Sequence, residues 1–182
     1  MRLMVNNIKI SCKVPPRPLT WIEKRCERRK IYFRKFANFT QLYFTESKLR
    51  VSFFTKSLHR KQHCNATGIR SFEKIQSVIE IISELLSCSS QDIVHTVDNI
   101  TANGSLGQSL SLLNDALPYL TAKKYSWRYD PQLFSGVIIS FPWGTGILYS
   151  SGKFVVVGGR TLAGCQLLED VVQDLHASIE TK

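Results

Sequence analysis

The feature that most constrains the fold is an order of predicted elements that occurs twice along the 182 residues of the chain. Each half predicts a strand, a helix, several short strands and a long amphipathic helix. The long helices are predicted at residues 71–86 and 161–180, where apolar residues recur at helical spacing. Because one half has too few strands to bury its helix well, we expect the two sheets to join edge to edge. Residues 1–91 and 92–182 are therefore predicted to be two repeats of one α+β domain.

The predicted strands are clearest in a nearly uncharged stretch, residues 129–159, where β-branched and aromatic residues are interrupted by turn residues. A helix is predicted at residues 106–117, and Pro118 is expected to end it because proline lacks the backbone N–H donor. In the first half, a densely charged helix is predicted at residues 19–30. The predicted strands lie at residues 6–14, 36–44, 48–55, 62–66, 92–97, 136–141, 146–150 and 153–157.

Charge is distributed unevenly between the halves of a chain whose net charge is +10. Residues 1–91 contain 18 Lys and Arg against 6 Asp and Glu, a net charge of +12. Residues 92–182 contain 6 Lys and Arg against 8 Asp and Glu, a net charge of −2. A basic half indicates a polyanion or an acidic partner, and the alternative is a solvated basic helix face.

The sequence contains no pattern typical of an enzyme, because a phosphate-binding loop, a carboxylate pair and a nucleophile beside a base are all missing. No cofactor is expected. Five scattered cysteines indicate reduced thiols in an intracellular protein, and no apolar run is long enough to predict a membrane-spanning helix. His59, His63 and Cys64 raise zinc binding as an alternative. A fourth ligand at regular spacing is missing, which favours a basic hairpin tip.

Three features of the second half resemble the C-terminal repeat of the TATA-box-binding protein family. They are the motifs YDPQLFSGVI and ILYSSGKFVVVGG and the long helix after them, which cover roughly residues 125–180. In the first half, NNI, RKF and ATG resemble the N-terminal repeat, although the Ser-Gly-Lys turn is missing there. The resemblance implies two pseudo-symmetric repeats that form a saddle-shaped, curved antiparallel sheet. It also implies that helices cover the convex face and that the concave face binds the minor groove of DNA.

The same resemblance implies that aromatic side chains wedge between base steps. Phe36, Phe134 and Tyr149 match three of the four wedge positions. The fourth is Phe53 or Phe54, and strand alternation favours Phe54, because Phe53 shares a face with apolar residues that suit the helix-packed side. The alternative for all of these aromatics is an ordinary place in the core.

The resemblance also implies one asparagine from each repeat at the centre of the saddle. Asn7 matches this position, and Asp92 is aligned with it in the second repeat, with Val94 on the same face. An ionised Asp cannot donate a hydrogen bond to the groove. Basic and hydroxyl side chains near the wedges, Lys56 among them, are expected to contact phosphates. The residues predicted to bind DNA are Asn7, Phe36, Lys48, Arg50, Phe54, Val94, Phe134, Tyr149, Ser151, Lys153, Val155 and Val157.

The charged helix is predicted to bind protein partners, with phosphate contact or a solvated face as alternatives. The partners that the resemblance implies are transcription factor IIA-type and IIB-type proteins and RNA polymerase, in the nucleus. Its basic residues are Lys24, Arg25, Arg28, Arg29 and Lys30.

Two functional hypotheses follow from the resemblance. In the first, the chain is a general transcription initiation factor that binds A·T-rich promoter DNA and scaffolds assembly of the preinitiation complex. In the second, it is an adaptor that has lost TATA binding and acts through protein contacts. Asp92, the missing Ser-Gly-Lys turn and the absence of arginine from residues 136–148 favour the adaptor. A third alternative is a domain of a larger nucleic-acid enzyme.

Overall fold

The computed structural model describes residues 3–55 and 61–180, and these divide into two compact units. The first unit is Asn7–Asp98, and the second unit is Asn99–Lys182 together with Met1–Asn6. The repeat boundary between residues 91 and 92 stays a prediction, because this division by packing falls elsewhere. Two residues named above, Lys56 and His59, lie outside the described residues.

The first unit is a five-stranded antiparallel sheet with two helices. The strand order is β2-β3-β4-β5-β1, and only residues 7–14 of β1 belong to this unit. A short 3₁₀ turn, Ser90–Asp92, follows the second helix. The elements are β1 Met4–Val14, α1 Leu19–Arg28, β2 Tyr32–Lys35, β3 Phe39–Phe44, β4 Leu49–Phe54, β5 Gln62–Ile69 and α2 Lys74–Leu86.

Apolar periodicity explains how the sheet and helices of the first unit pack. Alternate residues of β1 are almost completely buried, and α2 packs against β5 and α1. The apolar stripe that predicted α2 is buried as expected, from Ile75 to Leu85. At the edge of the sheet, the carboxylate of Glu23 on α1 lies 2.6 Å from Lys35 Nζ and accepts a hydrogen bond from Thr40 Oγ1 at 2.8 Å. Burial raises the pKa of Glu23, but the hydrogen bonds from Lys35 and Thr40 outweigh it and lower this pKa overall.

The second unit repeats this arrangement. Its strand order is β6-β10-β9-β8-β7, and only residues 99–105 of β6 belong to it. α4 packs on β9 and β10. A single π-helical segment, Leu112–Ala116, leads directly into α3. The elements are β6 Val94–Ser105, α3 Leu117–Ala122, β7 Ser126–Arg128, β8 Gly136–Phe141, β9 Gly144–Tyr149, β10 Lys153–Gly159 and α4 Leu162–Glu180.

The bounds of one helix and one strand were predicted wrongly, and two edge strands were missed. The helix predicted at residues 106–117 does not end at Pro118, since this proline lies in the first turn of α3, where its missing N–H costs nothing. The strand predicted at residues 92–97 begins at Val94 and continues to Ser105. The edge strands β2 and β7 were not predicted, because both are short and polar on their exposed residues.

The α+β class with antiparallel strands is confirmed in both units. None of the helices in residues 3–55 and 61–180 is long and apolar enough to cross a membrane.

Candidate nucleic-acid interface

Each unit has a sheet face that its helices, within the described residues, do not cover, and we call it the open face. In the first unit, a row of paired residues crosses this face from the edge strand to β1: Arg34, Gln41, Ser52, Asn65 and Ser11. The equivalent row in the second unit is Arg128, Ile138, Ile147, Val155 and Asn103. The two rows end in the same residue type at the edge strand, but their middle three residues differ in polarity.

The open face of the second unit is apolar at its centre. Val155 lies beside Ile147 in the register of β9 and β10, and Val157 lies two residues further along the same face. The alternate residues Phe154 and Val156 are completely buried. Val155 and Val157 therefore lie on the face where they were predicted, while the core of the unit takes the other face.

Phe134 and Tyr149 come together at one end of this face. Their ring centroids are 6.0 Å apart with an interplanar angle of 60°, and Phe134 is 38% exposed. A turn holds Phe134 in place, because its N–H donates to the carbonyl oxygen of Asp130 at 2.8 Å. The structure thus brings together the two aromatic residues that the sequence assigned to one wedge site.

The first unit has an aromatic cluster at the corresponding end of its sheet. Phe36 stacks on Phe39 with centroids 4.4 Å apart, and Phe39 contacts Phe54 with centroids 5.5 Å apart. Phe53 is completely buried on the opposite face, as the alternation predicted. Phe39 was missed, although alternation from Gln41 along β3 would have assigned it to the open face.

Asn7 and its counterpart hold a bulge in each unit. Asn7 Oδ1 accepts a hydrogen bond from the backbone N–H of Gly68 at 2.6 Å, and Asn99 Oδ1 accepts one from Gly158 at 2.8 Å. Both glycines have positive φ, 90° and 75°. The strand register shifts beside them, between the pairs of Ile8 and Ile10 in one unit and of Val156 and Gly159 in the other.

The alignment of Asp92 with Asn7 was therefore wrong, since Asn99 is the structural equivalent of Asn7. Asp92 lies in the 3₁₀ turn, where its carboxylate accepts a hydrogen bond from the Ser89 N–H at 3.1 Å and closes a capping box. Val94 is 54% exposed at the start of β6, and its role in DNA binding stays a prediction. The missed signal was the dipeptide Asn-Ile, which occurs at residues 7–8 and again at 99–100.

Four of the predicted phosphate contacts lie within the described residues and are exposed: Lys48, Arg50, Ser151 and Lys153. Lys48 lies in the turn between β3 and β4 with a φ of 57°, and Arg50 places its guanidinium 5.6 Å from the ring centre of Tyr43. Ser151 lies in the turn between β9 and β10, and Lys153 begins β10 opposite Ser105. These side chains border the open faces, with Lys153 in the strand register next to Tyr149.

The open face of the first unit differs because its polar side chains bond to each other. Tyr43 OH donates to Gln41 Oε1 at 2.6 Å, and Gln41 Nε2 donates to Ser52 Oγ at 3.0 Å. Ser11 Oγ lies 2.9 Å from Asn65 Oδ1 and also bonds to Asp98 Oδ2. Lys9 Nζ lies 3.6 Å from the same carboxylate oxygen.

Two of the five basic residues predicted for partner binding on and after α1 are engaged within the unit. Arg25 donates to the carbonyl oxygen of Glu84 at 3.0 Å, and Arg29 lies 3.3 Å from the Glu84 carboxylate. Lys24, Arg28 and Lys30 are exposed. The free basic surface of this helix is therefore smaller than its sequence suggests.

Zinc binding finds no support in the part of the chain that the structure describes, where no cluster of three or more metal-binding side chains occurs. His63 is exposed on β5, and Cys64, the next residue along the strand, is completely buried. Alternation thus turns these two side chains to opposite faces.

Comparison with known proteins agrees with this geometry, although no family model matches the chain. The chain is 28% identical to TATA-box-binding protein 1 of Haloferax volcanii over 112 residues, which are 58% of this chain and 58% of that protein. The match thus spans less than two thirds of that relative. The structure resembles that of Methanococcus jannaschii TBP with a TM-score of 0.71 and 17% identity, covering 97% of this chain and 99% of that chain. The predicted fold is confirmed, and the chain resembles TATA-box-binding proteins in its sequence and in its fold.

Proposed function

We propose that the chain is a general transcription initiation factor that binds A·T-rich promoter DNA in the minor groove through its open faces. The observation that carries this proposal is the aromatic cluster at the same end of the sheet in both units, Phe36 with Phe54 and Phe134 with Tyr149. Half-exposed aromatic side chains beside basic residues suit insertion between base steps. The name of the Haloferax volcanii relative and the fold support the same function.

The wedges act by unstacking. Inserting an apolar ring between two base pairs kinks the duplex and costs about a few kcal/mol per step. The larger protein surface that bent DNA can contact offsets this cost. Val155, Ile147 and Ile138 supply apolar surface for sugars and base edges. Lys153 and Arg50 supply charge for phosphates at the border, where counterion release favours binding.

In this proposal the two asparagines face the groove. Because the backbone N–H groups of Gly68 and Gly158 occupy Oδ1 of Asn7 and Asn99, each amide nitrogen serves as the donor. Asn99 Nδ2 also lies 3.5 Å from Thr101 Oγ1, and its second N–H remains for a base. Adenine N3 and thymine O2 are the acceptors that A·T pairs present in the minor groove. An amide donor at this position therefore fits an A·T-rich site.

Protein partners complete the proposal. Lys24, Arg28 and Lys30 on and after α1 form an exposed basic surface for acidic partners. By resemblance, the partners are transcription factor IIA-type and IIB-type proteins and RNA polymerase, and the site of action is the nucleus. The chain takes part as a non-enzymatic scaffold without a cofactor.

The test is binding of the full chain to a TATAAA duplex labelled at both ends, beside a G·C-rich duplex, at two salt concentrations. Anisotropy reports affinity and energy transfer between the labels reports bending. We expect Phe134→Ala to lose bending and to weaken binding by about 5- to 150-fold, the range for stacking worth about 1–3 kcal/mol. Leu162→Ala is the matched control, because Leu162 is 39% exposed but lies on α4.

The adaptor is the second candidate, and the absence of arginine from residues 136–148 favours it, because fewer positive charges are then available for phosphates. Equal, purely salt-sensitive binding of both duplexes, unchanged in Phe134→Ala, would refute the wedge mechanism. In that case, the exposed lysines of the first unit would support binding of an acidic partner protein, and the chain would not bend DNA.

A further inference from the structure

On the open face of the first unit, the hydroxyl of Ser11 faces more hydrogen-bond acceptors than it can satisfy, while Thr96 Oγ1 donates to the other oxygen of Asp98 at 3.4 Å. Ser11 Oγ lies within bonding distance of two oxygens, Asn65 Oδ1 at 2.9 Å and Asp98 Oδ2. A serine hydroxyl has one proton, so it can donate to only one of them at a time. Lys9 Nζ is 3.6 Å from Asp98 Oδ2, which is close enough to balance the charge but too long for a good hydrogen bond.

Reversing the Asn65 amide does not remove the surplus. In that orientation the amide nitrogen donates to Ser11 Oγ and the hydroxyl donates to Asp98, but the carbonyl oxygen of Asn65 then points away from Ser11. One acceptor oxygen is left over in both arrangements. The side chain of Asp98 is 30% exposed, so an incoming donor can reach this group.

The minor groove contains one such donor, the 2-amino group of guanine, since A·T pairs present only acceptors there. We propose, on the basis of the minor-groove binding proposed above, that Asn65, Ser11 and Asp98 recognise the 2-amino group of a guanine in the base pairs that the first unit contacts. The chain then prefers a site that is A·T-rich except for a G·C pair at this place.

The second unit lacks the equivalent feature. Val155 stands in the register position of Asn65, and Asn103 stands in that of Ser11. Within residues 3–55 and 61–180, Asn103 Oδ1 has no hydrogen-bond partner, but this oxygen is buried and out of reach of a base. The preference for guanine is therefore confined to the base pairs on the first unit.

Charge does not prevent the approach of DNA to Asp98. Lys9 lies beside its carboxylate, and the first unit contains 17 Lys and Arg against 8 Asp and Glu in sequence. The surrounding positive potential offsets the local repulsion by phosphates. The carboxylate thus serves as an acceptor within a basic surface.

The experiment separates the 2-amino group from all other features of the base pair. Each A·T pair of the TATAAA duplex is replaced in turn by 2,6-diaminopurine·T, which adds the amino group, and each G·C pair introduced is replaced by inosine·C, which removes it. We expect the amino group to strengthen binding about three- to tenfold at one or two positions, the range for one net hydrogen bond. At all other positions it should weaken binding or have no effect.

Asp98→Asn should remove this gain, because the amide carries no charge and keeps only one of the two acceptor oxygens. The gain is the ratio of the affinities of one variant for the modified and unmodified duplexes, so a general change in DNA affinity cancels. Asp170→Asn is the matched control, since Asp170 is exposed on α4 and its loss changes the net charge equally. If the duplex is bound and bent but no position gains from the amino group, or if Asp98→Asn retains the gain, the inference is overturned while the proposed function stands. If no duplex is bent, the proposed function fails first.

Discussion

At the scale of single residues, the glycine in the β-bulge of each unit has the same backbone conformation but differs in how closely other atoms surround it. Gly68 and Gly158 have positive φ and donate to Asn7 and Asn99 in the same way. A Cβ at Gly68 would overlap the carbonyl oxygen of Lys48, whereas a Cβ at Gly158 would find its nearest neighbour at 3.9 Å. Both positions disfavour side chains, but only the first is also crowded.

Alanine substitutions should separate these two costs. We expect Gly158→Ala to lower the free energy of unfolding by about 1–2 kcal/mol, the cost of a left-handed backbone. Gly68→Ala should cost about 1–3 kcal/mol more, because backbone atoms of the next strand must also move. Urea unfolding of both variants measures the difference. Equal losses would mean that the first unit relaxes around the new methyl group and that the bulge is not rigid.

Single residues also show which parts of the open face could be predicted from sequence alone. Alternation along β4 predicted correctly that Phe53 lies in the core and Phe54 on the open face, because one face of this strand is buried and fixes the register. The same reasoning was not extended to Phe39, and Asn99 was missed because the surrounding Asn, Thr and Gly residues resemble a turn. The pairing of Asn99 with Gly158 depends on a contact between residues 59 positions apart, which local patterns do not encode.

At the scale of elements, one face of β4 contributes to the core, and the other face carries a residue proposed to contact DNA. Phe53→Ala should lower the free energy of unfolding by about 3–5 kcal/mol, because this ring is completely buried. Phe54→Ala should cost less stability but should reduce DNA bending, since Phe54 lies on the open face against Phe39. Thermal unfolding and the energy-transfer assay measure the two effects. Loss of bending in Phe53→Ala at a temperature where it is fully folded would contradict this division.

Long amphipathic helices were predicted well, and short edge elements were not. The periodic stripes of α2 and α4 reproduce the observed helices to within three residues at each end, because tertiary burial and local pattern agree there. β2 and β7 have four and three residues, too few for a period to emerge. The region before α3 combines a π-helical segment with Pro118 in a first helical turn, which a simple helix-ending rule for proline misreads.

At the scale of the whole molecule, a net charge of +10 predicts that the proposed DNA binding weakens as the salt concentration rises, whichever surface contacts the phosphates. Local and general effects of charge can be distinguished by two variants that lose one positive charge each. Lys153→Ala should reduce the slope of log K against log salt by about 1, because Lys153 borders the open face. Arg29→Ala should leave this slope unchanged, because the guanidinium of Arg29 is paired with the carboxylate of Glu84 on α2. Equal changes in slope would show that only the net charge acts.

The assignment of Met1–Asn6 to the second unit has a consequence for synthesis of the chain. Residues 3–6 belong with segments that are translated much later, because the N–H of Leu3 donates to Glu169 Oε2 across 166 sequence positions. The first unit is complete once Asp98 has emerged and can fold early. The second unit can close only after translation of α4, so Leu3 stays without its hydrogen bond to this helix until Glu169 has been made.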